Sequence, residues 1–539
     1  MTTREIEEKL FARKASGLVK EASPTKAGLF NIANIMGSKF AWSVAYLGLF
    51  PAALMFGAPA YIWAVLLFTL ASFILGTLYI QLTTPMPRSG ADYVIPARLM
   101  GPFWGWINSW MIVWSWVPVW AWMAWVTVRN VKLLIDILRV VHVTEMASGW
   151  VYESPTIWII GISVIVIAML VCMVPPRRYY SWIAGLAVFS IVGLVLTVYG
   201  AFAATANFSA NMNTLLGTSV EGLINAAKAE GWDPNEMLSW TTGTGMMGYV
   251  LFIIGGYQYS ASISGELRGD VKKGLMISIF GSLIFFLIFT IPFVMLVLNQ
   301  FGYQLVTSWS WLFWNARDLA PLALPPINAL LCAVGLPDLW PLWIIAGLAG
   351  IVGTWLCIPA SMTYCNRLAF AWGMDRLMPK AITDVHPKYH QPMKLFAVEA
   401  VLGIIFYAAQ IQFDFNPVSF AWWSILLMLP SLFFPAICAL LIRKRRPDLF
   451  QNVPWKRWLV PLGILWIAIM VPFYGLGGIV GSVPPISPGI SMWEWAISTG
   501  LIVTSAFIVA GVIIYFVVRW WNIKRGIKFD EIYKLIPPE

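Results

Sequence analysis

Twelve long apolar runs constrain this chain more than any other feature. They fall at about 28–50, 58–82, 101–127, 154–174, 181–205, 243–264, 274–299, 340–365, 395–412, 417–442, 458–480 and 495–518. A helix needs about 20 apolar residues to cross a hydrocarbon core ~30 Å thick, and each run is long enough. The composition agrees: 59% of residues are hydrophobic and 11% are charged, where soluble domains carry about 25% charged residues. The expected fold class is an all-α integral membrane protein, one large bundle of 12 transmembrane helices.

The chain has 35 Lys and Arg against 25 Asp and Glu. That excess could suit a nucleic acid, but its distribution argues for membrane orientation. An even number of spans puts both termini on one side. With that side cytoplasmic, 29 of the 35 basic residues lie inside. The outer loops hold only Arg129, Lys132, Arg139, Lys228 and Arg317, and Lys39 lies within the first run. This skew follows the positive-inside rule and predicts a multi-pass plasma-membrane protein with cytoplasmic termini and no nucleic-acid partner. The predicted organisation is a cytoplasmic tail at 1–27, spans one to five at 28–205 and an outer loop at 206–242. Spans six to ten follow at 243–442, a basic loop with spans eleven and twelve at 443–518, and a cytoplasmic tail at 519–539. Outer loops are expected to be long at 128–153, 206–242 and 300–339. The first 27 residues are polar, so no cleavable signal peptide is expected, and Ser23-Pro24 breaks the chain before the first span. Tryptophans crowd the third run. Those near its ends read as interfacial anchors, those in its middle as packing. Five cysteines without a repeating spacing give neither a disulfide framework nor a metal site, and Cys332 falls in a loop.

Two runs carry interruptions at similar depth. In the first, Asn34-Ile-Met-Gly-Ser-Lys-Phe40 places a Gly-Ser pair and a lysine eleven residues beyond Gly28, or ~17 Å at 1.5 Å per residue. A charge near the bilayer centre costs about 2.5–3.5 kcal/mol, so this helix is expected to be broken at Gly37-Ser38 to hold a ligand. The sixth run carries Gly255-Gly256-Tyr257-Gln258. The first run opens a set of five spans and the sixth opens a second set, and an odd number per set inverts the second. Matching interrupted segments point to a transport site at the midplane. Free N–H groups there would take a carboxylate and free carbonyls an ammonium. Either interruption alone could be a small-residue packing site; the pair, with a buried lysine beside one, favours a site. Gly243-Thr-Gly245-Met-Met-Gly248 lacks the preceding strand that a dinucleotide fingerprint needs. His142, His386 and His390 lie in loops, and there is no nucleotide loop, zinc motif or carboxylate pair at membrane depth. No cofactor, metal or catalytic activity is expected.

At this point the chain resembles the amino acid–polyamine–organocation superfamily, in the manner of a prokaryotic amino acid permease. Asn34-Ile35-Met36-Gly37-Ser38 is similar to the family's first-helix motif, and Pro87-Arg88-Ser89-Gly90-Ala91-Asp92-Tyr93 to its turn before helix three. Glu266, Arg268, Gly269, Asp270 and Lys272 resemble the segment ending helix six. Arg367, Met374, Asp375, Arg376, Pro379 and Pro392 resemble the loop after helix eight, and Arg446-Pro447-Asp448 the turn after helix ten. The resemblance implies a leucine-transporter-type fold, a 5+5 inverted repeat plus two additional helices, and secondary transport of amino acids by alternating access. It implies substrate contacts at Asn34, Met36, Gly37, Ser38 and Lys39 on one side. Those on the other are Phe252, as an aromatic gate, with Gly255, Gly256, Tyr257 and Gln258.

Several positions depart from the family pattern. Lys39 replaces a second glycine, and Gln258 stands where many relatives carry an acid. Run 181–205 has no charge, where some relatives place a sodium-replacing lysine. Thr354, Ser361 and Thr363 form no adjacent hydroxyl pair of the sodium-site kind. Sodium-independent transport is therefore expected, by proton coupling or exchange, with Lys39 as the coupling residue and protons as possible partners beside the substrate and the bilayer. The only charges within the runs are Lys39 and Glu399, the latter read as structural. The alternatives are transport of another small amine or organic solute on the same fold, or a sensor or channel on a transporter frame.

Overall fold

Ser23 and Pro24 start the first helix as well as breaking the chain before it. The Ser23 hydroxyl accepts a hydrogen bond from Lys26 N at 3.3 Å, and Pro24 occupies the first turn, where its missing N–H is not needed. The computed structural model describes residues 11, 15–39, 58–204, 207–233, 255–323, 328–413, 426–480 and 501–538. Among them the chain is helical, with no strand beyond one isolated bridge between Ala22 and Leu267.

Helices of two turns or more are α1 Pro24–Lys39, α2 Ala58–Thr83, α3 Ala91–Leu99, α4 Pro102–Val140, α5 Thr156–Met173, α6 Pro176–Ala203, α7 Phe208–Leu216 and α8 Val220–Ala229. After the region of the sixth run come α9 Gly281–Phe301, α10 Tyr303–Asn315, α11 Asn328–Gly335, α12 Trp340–Met374, α13 Met393–Gln412, α14 Phe433–Arg445, α15 Lys456–Val480 and α16 Leu501–Lys524. The turn Val271–Leu275 and a π-helical turn, Met276–Phe280, lead into α9. Among the described residues, nine helices are long and apolar enough to cross a membrane. The first and sixth runs lie partly outside those residues.

Four sequence expectations change. Helix α4 runs to Val140, thirteen residues into the expected outer loop. That extension is amphipathic: Leu133, Leu134, Ile137 and Val140 are buried, while Lys132 and Asp136 pair at 2.6 Å one turn apart on the other side, the spacing at which helical neighbours meet. Helix α12 continues to Met374, which puts Arg367 and Met374 on a helix instead of a loop. Arg367 is tolerated inside because a carboxylate neutralises it there. Cys332 is buried on α11, not in a loop. Finally, α1 is helical through Gly37, Ser38 and Lys39, so the expected break at Gly37-Ser38 does not fall within the described helix. Gly costs at most about 1 kcal/mol in a helix and Ser less, which packing offsets readily.

Helix α12 forms the centre, packed against α4, α6 and α1. Gly193 of α6 touches Ala349 of α12 with no room for a Cβ, the close approach that small residues allow between membrane helices. Trp106, Trp116, Trp120 and Trp122 in α4 are fully buried, as packing residues should be. Trp106 and Trp110 donate their indole N–H groups to Gly511 O and Phe507 O of α16, each at 2.8 Å, which satisfies donors that would otherwise be orphaned.

Candidate functional site

Helix α1 presents two asparagines, Asn31 and Asn34, three residues apart and therefore on one face. Both are fully buried, and both turn toward the segment 255–260. That segment is non-helical from Gly255 to Gln258 and closes into a single turn, Tyr259–Ser262. Gly256 has φ +105°, a region where a side chain is strained, and a Cβ there would overlap the Asn34 amide. Glycine is required at this position on both counts.

The asparagines answer the backbone groups that the interruption leaves without helical partners. Asn34 Nδ2 donates to Gly255 O at 2.8 Å, and Cys357 Sγ of α12 donates to Asn34 Oδ1 at 3.3 Å. Asn31 Nδ2 lies 2.5 Å from Tyr257 O, 3.1 Å from Ser260 Oγ and 3.2 Å from Ser278 O, while Ser260 N donates to Asn31 Oδ1 at 2.9 Å. Gly256 N reaches Gln258 Oε1 at 3.3 Å, and Gly256 O accepts from Tyr259 N at 3.2 Å. The interrupted segment is thus pinned to α1 by side chains. Each carbonyl retains a second lone pair, so an ammonium could still be met here.

Below the segment lies an aromatic group. The Tyr259 and Tyr364 rings stack at 4.0 Å with 9° between planes, and Trp116 meets Tyr259 edge-on at 5.7 Å. The Tyr259 hydroxyl and the Trp116 indole N–H are buried and have no hydrogen-bond partner among the described residues. Two such donors suit an anionic or carbonyl oxygen, since a buried donor left unmade is costly.

Tyr364 connects this group to a carboxylate. Asp92 of α3 accepts from Tyr79 at 2.5 Å, Tyr364 at 2.8 Å and Ser262 at 3.1 Å. Two buried ion pairs lie toward the same end. Arg367 donates to Glu266 at 2.5 and 3.1 Å, to Gln391 at 2.9 Å and to Asn366 at 3.0 Å, while Tyr180 donates to Glu266 at 3.0 Å. Arg98 pairs bidentately with Asp375, one of the two bonds at 2.7 Å, and Tyr93 donates to the same carboxylate at 2.7 Å. The sequence motifs around helices three, six and eight therefore join one another. Residues just before α1 follow Glu266, since Ala22 N donates to Glu266 O and Arg268 N to Ala22 O.

Of the expected site residues, Asn34, Gly255, Gly256, Tyr257 and Gln258 come together and are buried. The backbone of Met36, Gly37, Ser38 and Lys39 belongs to the last turn of α1. Phe252 lies outside the described residues. Asn31, Ser260, Cys357, Tyr259 and Trp116 were not anticipated. The asparagine pair could have been, as two amides one turn apart in an apolar run. Glu399 is buried on α13 with Asn366 and Arg367 as polar neighbours. Arg367, on α12 two residues beyond the eighth run, is a further buried charge beside it.

A bundle of apolar helices around one interrupted segment, pinned by buried amides, defines a multi-pass membrane protein of permease type. The sequence profile of the amino acid permease family matches residues 28–518. The chain belongs to that family, within the amino acid–polyamine–organocation superfamily, and the family points to a transporter rather than an enzyme. No curated protein matches the chain significantly.

Proposed function

We propose that this protein is a sodium-independent secondary transporter of amino acids in the plasma membrane, working by alternating access. In this reading twelve spans form a leucine-transporter-type fold, two inverted sets of five and two additional helices, with both termini cytoplasmic. The observation that carries it is the segment at Gly255–Gln258, with Gly256 in a glycine-only conformation against Asn34. The ammonium of a substrate would meet the remaining lone pairs of Gly255 and Gly256. Its carboxylate would pair with Lys39, beside Gly37 and Ser38 at the end of α1, because the last turn of a helix offers carbonyls and not free N–H groups; Phe252 would be the gate. Lys39 would serve as a surrogate cation or as the proton carrier, and Gln258 gives a second cationic group no partner, so neutral or acidic side chains would be preferred.

The ion pairs Arg367–Glu266 and Arg98–Asp375, with the Asp92 hydroxyl cluster, hold one end of the bundle together. Release of substrate toward that end would require the 255–266 segment and the residues before α1 to part from α12. They would move as a unit, because Ala22 is bonded to both sides of Leu267.

Uptake into proteoliposomes tests this reading, with sodium or choline outside, with and without a pH gradient, for wild type and Lys39→Ala. The expected result is equal uptake in sodium and choline, competition by neutral amino acids exceeding that by arginine, lysine or putrescine, and loss of uptake in the variant. Strict sodium dependence, or stronger competition by the cations, would refute it. An unaffected Lys39→Ala would show the lysine to be incidental.

A further inference from the structure

At the end of the last helix lies a cavity of about 570 Å³, between α16 and the turn that follows α12. Its charged lining is Arg376, Lys380 and Arg525, and no carboxylate lines it among the described residues. Its apolar lining includes Val517, Val518 and Trp521. The cavity therefore has a cationic part and an apolar part. The volume lies within the range of small-molecule sites, roughly 300–1,000 Å³.

The cavity is built, not a chance gap between side chains. Arg376 adopts φ +64°, and its carbonyl accepts from Asn522 Nδ2 of α16 at 2.8 Å, which fixes the turn against the helix. Arg376 also donates to Phe11 O at 3.0 Å. The Arg525 guanidinium sits 4.7 Å from the centroid of the Trp521 ring, so one face of this lining cation is shielded by a ring. Val517, Trp520, Trp521 and Ile523 are each about half exposed, on a helix whose membrane portion is otherwise largely uncovered. This side of α16 is apolar and uncovered by protein, and the cations stand where its apolar length ends.

We propose that this cavity binds an anionic phospholipid. The phosphodiester would sit between Lys380 and Arg525, with the acyl chains along Val517, Val518 and Trp521. Basic pockets between membrane helices are matched by anionic headgroups, and only a ligand with charge and hydrocarbon on one molecule satisfies both parts of the lining. Inorganic phosphate would satisfy the cations alone.

The test is thermal unfolding of the full-length protein in neutral detergent. Phosphatidylglycerol, phosphatidylcholine with the same chains, or inorganic phosphate is added, and native mass spectrometry counts bound lipid. The variants are Lys380→Gln/Arg525→Gln and, as a charge-matched control, Arg443→Gln/Lys444→Gln at the end of α14. A ligand selective for the native state raises its melting temperature. Phosphatidylglycerol should stabilise wild type and the control more than phosphatidylcholine does. Its affinity for the cavity variant should fall about thirtyfold, since a surface cation contributes roughly fivefold. Equal effects of the two lipids, full retention of the difference in the cavity variant, or an equal effect of phosphate would overturn the proposal. Binding that appears only after deletion of residues 1–14 would assign the cavity to the N-terminal tail and overturn it as well. If the cavity variant does not fold, Trp521→Ala provides the same comparison through the apolar part.

Discussion

Gly256→Ala should be far more damaging than its single methyl suggests, and two other glycines in the same chain separate the reasons. Gly281 has an ordinary φ and open space where a Cβ would go. Alanine there should stabilise α9 by up to about 1 kcal/mol. Gly269 has φ +79° but open space, so alanine should cost only the left-handed strain, about 1–2 kcal/mol. Gly256 combines φ +105° with overlap of the Asn34 amide. To the same strain it adds the Asn34–Gly255 hydrogen bond, ~0.5–1.5 kcal/mol, and steric overpacking, ~1–3 kcal/mol. The sum is roughly 3–6 kcal/mol, a large part of the 5–15 kcal/mol that usually separates folded from unfolded. Reversible unfolding in mixed detergent micelles measures all three variants, and proteoliposome uptake measures the site. Uptake should survive in Gly281→Ala and be abolished in Gly256→Ala; Gly256→Val should abolish it too. If Gly256→Ala is no less stable than Gly269→Ala, or transports normally, the pinning of this segment by Asn34 is not what shapes the site.

Arg367→Met leaves the buried Glu266 carboxylate with little beyond Tyr180 and should cost about 3–5 kcal/mol. Adding Glu266→Leu should recover much of the loss, and additive losses in the double-mutant cycle would refute direct coupling of the pair. Tyr364→Phe keeps the ring against Tyr259 but removes one of three hydroxyls from Asp92, for about 1–3 kcal/mol. The same unfolding assay should show that loss, and no change would mean Asp92 is satisfied otherwise. Asn31→Leu removes the amide that holds Tyr257, Ser260 and Ser278. It should cost about as much as a large core substitution, ~2–5 kcal/mol, and lower uptake in parallel; full uptake would exclude Asn31 from the support of the site.

What the sequence determined by itself rests on local physics. A run of apolar residues long enough to span announces a membrane helix wherever it occurs. A glycine pair inside one announces an interruption, because each signal depends only on neighbours along the chain. The Gly255–Gln258 segment was legible for that reason. The tertiary structure alone decided what those residues meet. Arg367 reads as a loop charge until Glu266, 101 positions away, neutralises it and lets α12 run on to Met374. Arg98 finds Asp375 across 277 positions, and the lone-standing Asp92 gathers hydroxyls from three separate segments. Likewise Asn31 appears as a polar blemish in an apolar run, and only the approach of 257–260 makes it a partner for exposed backbone. A buried charge or amide is permitted by the group opposite it, and that group is chosen by packing, which no stretch of sequence contains.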